Sequence, residues 1–401
     1  MSHGYDVVSG EEKKENGGCL MKVCIVADVL GPENNGTTTA CMNLVRYLRS
    51  CGDEVRIVCC DQDKRGQKDY YVTRVYNLGP IINYMVERNN VSLARPDRKV
   101  IAEAMDGVDI VHVMMPFALG RAAARIATEK HIPVTAGFHV QAENFTAHIG
   151  MMNLPIANRI TYHVFDRTVY RKMAAIHYPT DFIRNTFEGA VHHGTNGYVI
   201  SNGVHDTFRH QPAEKPLGWE DRFVILFTGR YSQEKSHKVL IRAVAKSKYR
   251  DRIQLIFAGQ GPEAESMQRL ATRLNILPPV MQFFSREELL RVINYADLYC
   301  HPAEIEIEAI ACLEAITCGL VPVIADSPRC ATKAFALTEN NLFRVNDAKD
   351  LAAKIDYWME HPREKAAMQE QYLNYTRNFQ QTACMQAMRD MLCTYAGREQ
   401  A

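Results

Sequence analysis

The sequence predicts an α/β protein of two doubly wound parallel-sheet domains that face each other across a cleft. Three observations lead to it. Short apolar runs alternate with helical stretches at βαβ spacing. The alternation pauses at a polar, turn-rich stretch, "NGVHDTFRHQPAEKPLGWED" (202–221), and then starts again. A chain of 401 residues is long enough for two cores of ordinary domain size.

The first domain opens with "MKVCIVADVL" (21–30), a strand, followed by the loop "GPENNGTTT". A helical pattern runs from Thr39 to Ser50, Gly52 lies just past it, and "DEVRIVCC" is the next strand. "DGVDIVHVMM" and "IPVTAGFHV" are further strands around the helical "ALGRAAARIATEK", and "MAAIHYPT" and "GYVISNGV" keep the rhythm. In the second half, "RFVILFTGR", "IQLIFAGQG", "MQFF", "ADLYCHPA" and "LVPVIAD" read as strands, and 361–395 reads as helical throughout. The expected organisation is a disordered leader over 1–20, a first domain over 21–205, a second over 206–375, and a C-terminal helix over 376–401 that returns to the first domain. The leader is polar and has no apolar signal-peptide core.

Composition narrows the function. A formal net charge of +1 with 23% charged residues gives no global field toward nucleic acid. No run of 18 apolar residues predicts a spanning helix. The 12 cysteines are scattered through apolar runs without C-x-x-C pairs, so they read as small buried hydrophobes of a reducing compartment.

The chemistry concentrates in a few places. "GRYSQEKSHKVLIRA" sets Arg230 and Lys235 between a strand end and a helix start near His237, which suits a phosphate or diphosphate as well as it suits a solvated basic turn. Gly36 lies in the first βα loop, where a small residue lets backbone amides approach a ligand, yet the loop is not G-x-G-x-x-G. "AEIEIEAIACLEAITCGLVPVIA", from Ala303, places Glu304, Glu306, Glu308 and Glu314 in an apolar segment. On one continuous helix Glu306 and Glu314 would stand about 12 Å apart, and paired glycosidase acids want roughly 5–10 Å. Two carboxylates at opposite ends of an elongated, hydroxyl-rich ligand fit better, with a helix N-terminus between them aimed at negative charge.

These residues resemble the E-x7-E motif of retaining GT-B glycosyltransferases of family 4. Other landmarks match in order from Met21 onward: "VCIVAD" with Gly36, "GFHV" with His139, "VISNGV", "TGRYSQEK", "FAGQGP", "ADLYCHPA" and "EAITCGLVPVIA". The resemblance implies that Arg230 and Lys235 bind a donor diphosphate, that Glu306 holds the sugar and Glu314 the ribose, and that His139 lies beside the reacting sugar. Amides at Ile307, Glu308, Ala309 and Gly36 would touch sugar and phosphates. Cations and amides would serve in place of a metal, so neither metal nor cofactor is expected. Most members read E-G-F-G or E-S-F-G where this chain has "EIEA", and Glu304, Glu306 and Glu308 alternate as on one face of an extended segment.

"EIEIEAIACLEAI", "TAGFHVQAENFTAHIG" and "HYPTDFIRNTF" resemble a narrower group, the bacterial α-glucosyltransferases acting on diacylglycerol. It implies UDP-glucose, or UDP-galactose, as donor and a lipid hydroxyl as acceptor, on the cytoplasmic face of the cell membrane. Relatives of that group use sterols or ceramide. Independently, Phe145, Ile149, Met151 and Met152 precede Arg159, Arg167, Arg171 and Lys172, a pattern that suits an anionic membrane surface. An ordinary core helix reads equally well, because Ile160 and Arg167 fall on one side of the wheel. "GPIINYMVERNN", near Ile81, is a second candidate for such a surface. Competing expectations are a soluble-acceptor hexosyltransferase, a nucleotide-sugar epimerase or hydrolase, and a binding protein without turnover.

Overall fold

The computed structural model describes residues 20–28, 30–31, 36–77, 93–147 and 151–397. The N-terminal sheet contains β1 (Lys22–Val26), β2 (Glu54–Cys59), β3 (Tyr70–Val72), β6 (Ile110–Val113), β7 (Val134–Gly137), β8 (Ala175–Tyr178) and β9 (Gly197–Val199). Their spatial order is β3-β2-β1-β6-β7-β8-β9, and every pairing is parallel. A two-stranded ribbon, β4 (Arg74–Val75) with β5 (Ala94–Arg95), lies outside this sheet.

The second sheet contains β10 (Phe223–Thr228), β11 (Ile253–Ala258), β12 (Val280–Gln282), β13 (Leu298–His301), β14 (Pro322–Asp326) and β15 (Leu342–Arg344). Its order is β12-β11-β10-β13-β14-β15, again parallel throughout. Helices cover both faces of such sheets, which is why the central strands read as continuous apolar runs. All six residues of β11 are buried, and each fully buried Leu, Ile or Phe contributes about 1.5–3 kcal/mol.

The sequence departs from this architecture in places. The first helix begins at Gly36, three residues before the expected Thr39. The C-terminal stretch is not one helix: Pro362–Tyr375 ends in a tight turn over Thr376–Phe379, and a new helix runs Gln381–Tyr395. Between them Gln380 is extended and its neighbours pair with Val204 (Gln381 N to Val204 O, 3.0 Å; Val204 N to Phe379 O, 2.7 Å). The chain thus crosses between the domains twice, side by side. At the crossing a Cβ on Gly203 would stand 2.6 Å from the Gln381 Cα, so only glycine lets the segments approach.

The last helix packs on the N-terminal domain. Met385, Met388, Met391 and Leu392 join the core of Met21, Val23, Ile25, Leu44 and Val45. Arg389 ion-pairs with the fully buried Asp53 at 2.8 Å. Every described cysteine is free of disulfide, and all but Cys51 are buried.

Candidate active site

The second sheet reverses its strand order between β10 and β13, and open α/β sheets bind ligands at that point, beyond the carboxyl ends of the strands. β10 delivers Gly229 and Arg230. A short turn over Gln233–Lys235 follows, and the helix His237–Val244 starts directly behind it. The glycines of "AGQG" buttress this loop. A Cβ at Gly259 would lie 2.1 Å from the Gly229 carbonyl oxygen, and one at Gly261 2.5 Å from that of Tyr231. The Tyr231 amide donates to Gln260 O at 3.0 Å, and the Glu263 amide to Tyr231 O at 3.1 Å. Burial lowers the half-buried Arg230 guanidinium from its ordinary value, with Glu234 opposing. Burial would also lower Lys235, but its ion pair with Glu306 outweighs this and raises it.

β13 ends at His301, and the chain runs on through Glu304, Glu306 and Glu308 before the helix Ile310–Thr317 begins. Glu306 and Glu314 therefore share no continuous helix, and the 12 Å estimate does not apply. The acids do not line one face either. Glu304 accepts from Arg329 Nη2 (2.8 Å) and Ser236 Oγ (3.2 Å). Glu306 pairs with Lys235. Glu308 accepts from Ser201 Oγ (2.5 Å), the Asn202 amide (3.0 Å) and Asn202 Nδ2 (2.5 Å). Its side chain is thereby committed to the interdomain crossing, not to a ligand. Only 3% of Glu308 is exposed, and burial pushes its carboxyl up to about 7 in spite of those donors.

What remains around Glu306 suits an oxygen-rich ligand. The amides of Ile307, Glu308 and Ala309 donate to no acceptor among the described residues. Ala309 holds a left-handed conformation (φ 64°, ψ 63°), which costs a residue with a Cβ about 1–2 kcal/mol. Glycine stands here in the pattern the sequence resembles. Glu314, on the following helix, is half-buried, its carboxylate has no hydrogen-bond donor among the described residues, and desolvation lifts it to about 7, Arg286 opposing.

The N-terminal domain meets this loop directly. Thr180 Oγ1 donates to Ile307 O (2.8 Å), and Gln141 Nε2 donates to Arg329 O (3.1 Å). His139 follows β7, two residues before Gln141. Its ring centroid is 5.4 Å from that of His177. Burial, then His177 and His112, hold His139 well below its ordinary pKa, so it is neutral and can both donate and accept. His112, inside β6, is fully buried, and its Nδ1 is 2.9 Å from Thr135 Oγ1. Gly36 opens the first helix, and a Cβ there would meet nothing within 4 Å.

The segment expected to meet lipid divides. Ile149 and the stretch around Ile81 lie outside the described residues. Met152 is no surface residue: it is buried, with its carbonyl accepting from Asn158 Nδ2 at 3.0 Å. Met151 is half-buried, and Phe145 packs between Phe117 and Phe165 with 39% of its surface exposed. Arg171 is tied to the buried Asp166 at 2.6 Å, while Lys172 is exposed. The helix Pro155–Thr168 turns its mixed side outward. Ile156, Ile160 and Val164 are 77%, 58% and 50% exposed, interleaved with exposed Arg159 and Arg167. Ile160 and Arg167 share a side because that side is the surface.

Sequence reasoning missed the residues that join the halves: Thr180, Ser201, Asn202, Arg329 and Asn153. Thr180, Ser201 and Asn202 lie inside the stretches "HYPTDFIRNTF" and "VISNGV", which serve only as landmarks, and Arg329 and Asn153 lie in none of the quoted motifs. Among the described residues no group of three or more His, Cys, Asp or Glu is placed to hold a metal ion.

Comparison with known proteins agrees with this geometry. Residues 34–208 match the family described as Glycosyltransferase Family 4, and residues 209–378 match Glycosyl transferases group 1. A GDP-mannose-dependent alpha-mannosyltransferase of Corynebacterium glutamicum is 25% identical over 76% of this chain and 72% of its own length. An alpha-monoglucosyldiacylglycerol synthase of Streptococcus pneumoniae is 24% identical over 76% of this chain and 71% of its own. The catalytic domain of a cholesterol-alpha-glucosyltransferase from Helicobacter pylori is 48% identical across 39% of this chain and 98% of that one, with a TM-score of 0.38. Anabaena Alr3699/HepE in complex with UDP-glucose shares the fold over 93% of this chain and 100% of that one, with a TM-score of 0.71 at 16% identity. The two family matches divide the chain at the same place as the two facing sheets, and the protein belongs to the GT-B glycosyltransferases, with a family 4 N-terminal half and a group 1 C-terminal half.

Proposed function

We propose that the protein moves glucose from UDP-glucose to the hydroxyl of a membrane lipid such as 1,2-diacylglycerol, with retention of the α configuration and without a metal. The observation that carries the lipid acceptor is the exposed face of the helix Pro155–Thr168. Three apolar side chains and two arginines share it, and the helix's one acid, Asp166, is buried on another side. Arginine stems lie along apolar surface while their heads meet anionic headgroups, each worth about 1 kcal/mol near such a membrane. Asn153, two residues before this helix, touches Arg329 beside the donor loop, so membrane contact and donor pocket adjoin. The exposed face of this helix supports peripheral contact with a membrane, which the resemblance puts on the cytoplasmic side, and no described helix is long and apolar enough to cross one.

The resemblance suggests the residue roles, and the geometry supports them. Arg230 and Lys235 neutralise the departing diphosphate. Lys235 shares its ammonium between phosphate and Glu306, which turns its free lone pairs to the sugar hydroxyls. The amides of Ile307 to Ala309 complete the sugar cradle. Glu314, desolvated and short of donors, gains most from the two hydroxyls of a ribose. Neutral His139 meets the sugar from the opposite domain. The acceptor hydroxyl enters on the face the nucleotide leaves; the new C–O bond forms as the C1–phosphate bond breaks, and a phosphate oxygen takes the proton.

The test is transfer of radiolabel from UDP-glucose, UDP-galactose and GDP-mannose into diacylglycerol, sterol or ceramide micelles, with and without anionic lipid and with EDTA present. Label from UDP-glucose in α-linked glucosyldiacylglycerol is the expected result. Label from GDP-mannose alone would overturn the donor assignment. Label confined to sterol, ceramide or a water-soluble acceptor would overturn diacylglycerol. Free UDP without any acceptor would point to a hydrolase or epimerase.

A further inference from the structure

Glu304 and Arg329 lie outside every role assigned above, yet they complete an unbroken line of hydrogen bonds from the phosphate-binding loop to the acceptor side of the other domain. Ser236, the residue after Lys235, donates to Glu304 Oε1 (3.2 Å), and the Glu304 amide donates to Glu234 O (2.8 Å). Glu304 Oε2 accepts from Arg329 Nη2 at 2.8 Å. The other guanidinium nitrogen, Nη1, crosses the domain boundary to Asn153 Oδ1 (2.8 Å) and Met152 O (3.4 Å). The Arg329 carbonyl receives Gln141 Nε2. Ser327 Oγ braces the line by donating to Glu304 O at 2.6 Å.

The Arg329 and Glu304 side chains are only 27% and 17% exposed, so solvent screens the pair weakly. Arginine suits this post because its planar fork can hold a carboxylate with one nitrogen and a carbonyl and an amide oxygen with another, which lysine cannot. Asn153, Met152 and Gln141 belong to one domain and Arg329 to the other, so any parting of the two domains about Val204 and Gln381 would break all three contacts together.

We propose that Arg329 is a positioning residue that couples donor binding to the acceptor side of the other domain, residues 141–146 and 151–158: nucleotide on the Arg230–Lys235 loop holds Glu304 and Arg329 in place, and Arg329 orders the residues that receive the acceptor. The coupling rests on the glycosyltransferase site described above but not on the acceptor being a lipid. By linkage it is reciprocal, so acceptor tightens nucleotide by the same factor.

Hydrogen exchange on the full-length chain with UDP alone as probe tests this without any acceptor. UDP is expected to slow exchange across residues 141–146 and 151–158 in the native protein. Asn153→Ala and Arg329→Met should abolish that protection while UDP affinity changes less than about twofold. Arg329→Lys should restore the Glu304 pair but not the protection. In transfer assays with whichever acceptor the native enzyme uses, the same variants should raise acceptor KM about tenfold, the middle of the usual coupling range. Unchanged protection in Asn153→Ala would overturn the coupling, as would a tenfold loss of UDP affinity in that variant. Absence of lipid transfer by the native enzyme, with coupling intact by exchange, would instead overturn only the lipid assignment.

Discussion

Replacing Glu308 by Gln should make the protein more tolerant of alkaline pH. Glu308 is buried at the interdomain crossing, and desolvation moves its carboxyl from an ordinary 4.5 up to about 7. Because the folded value is raised, the unfolded chain releases the proton first. The stability of the protonated form is fully present below about 4.5 and is lost as pH rises through about 7. A shift of that size, at about 1.4 kcal/mol per unit, costs about 3 kcal/mol once the group is ionised in both states, of which about 2.5 kcal/mol falls between pH 5 and pH 8. Glutamine has nearly the same shape, still accepts from the Asn202 amide, and carries no charge to bury. Thermal unfolding of both proteins at several pH values isolates the effect, since Asp28 and Glu314, also raised to about 7, contribute equally to each. From pH 5 to pH 8 the native protein should lose on the order of 5 °C more than the variant. Parallel stability curves would refute the reasoning and show that Asn202 and Ser201 already compensate the ionised carboxylate.

Other variants test other parts. Glu306→Ala should abolish transfer with UDP binding largely kept, whereas Lys235→Ala should weaken both, by equilibrium titration with UDP and by turnover; equal UDP affinity and normal turnover in either would remove its assigned role. Combined Ile156→Ser, Ile160→Ser and Val164→Ser should cut binding to anionic vesicles at least tenfold in a flotation assay while leaving the melting temperature unchanged, because all three side chains are exposed. Arg389→Met leaves Asp53 charged in the N-terminal core without its arginine, keeping the Met21 amide as a donor at 2.9 Å, at a cost of up to about 3–5 kcal/mol measurable in urea.

Strands were the most legible part of the fold. β1, β10 and β11 are central and doubly covered, so their sequences are unbroken apolar runs. β3 ("YYV") and β15 ("LFR") are three-residue edge strands with partly exposed side chains, and nothing in so short a stretch separates them from loop. The break at Thr376–Phe379 contains neither Pro nor Gly and follows from Gln381 pairing with Val204, a partner far away in sequence. At the site, Arg230, Lys235, Glu306 and Glu314 stand at fixed spacings and could be read, whereas Arg329 meets Asn153 across 176 positions. Glu308 illustrates the limit most clearly. Its place in the motif suggested donor contact through its backbone amide and said nothing of its carboxylate, which only the folded chain shows held by Ser201 and Asn202.

The side-by-side crossing at Val204 and Gln381 makes the nucleotide-binding half an insertion within the other domain, since the helix Gln381–Tyr395 completes the core begun at Met21. Damage near residue 390 would therefore be felt at the opposite end of the sequence, loosening the N-terminal domain while the loops that carry Arg230, Lys235 and Glu306 stay whole. Two parallel tethers also restrict how the halves can swing: bending about the pair is easy, but twisting one half against the other must stretch one tether or compress its neighbour. Any movement of one half against the other is thus steered toward bending about the pair, a path on which the contact of Thr180 with Ile307 opens and re-forms.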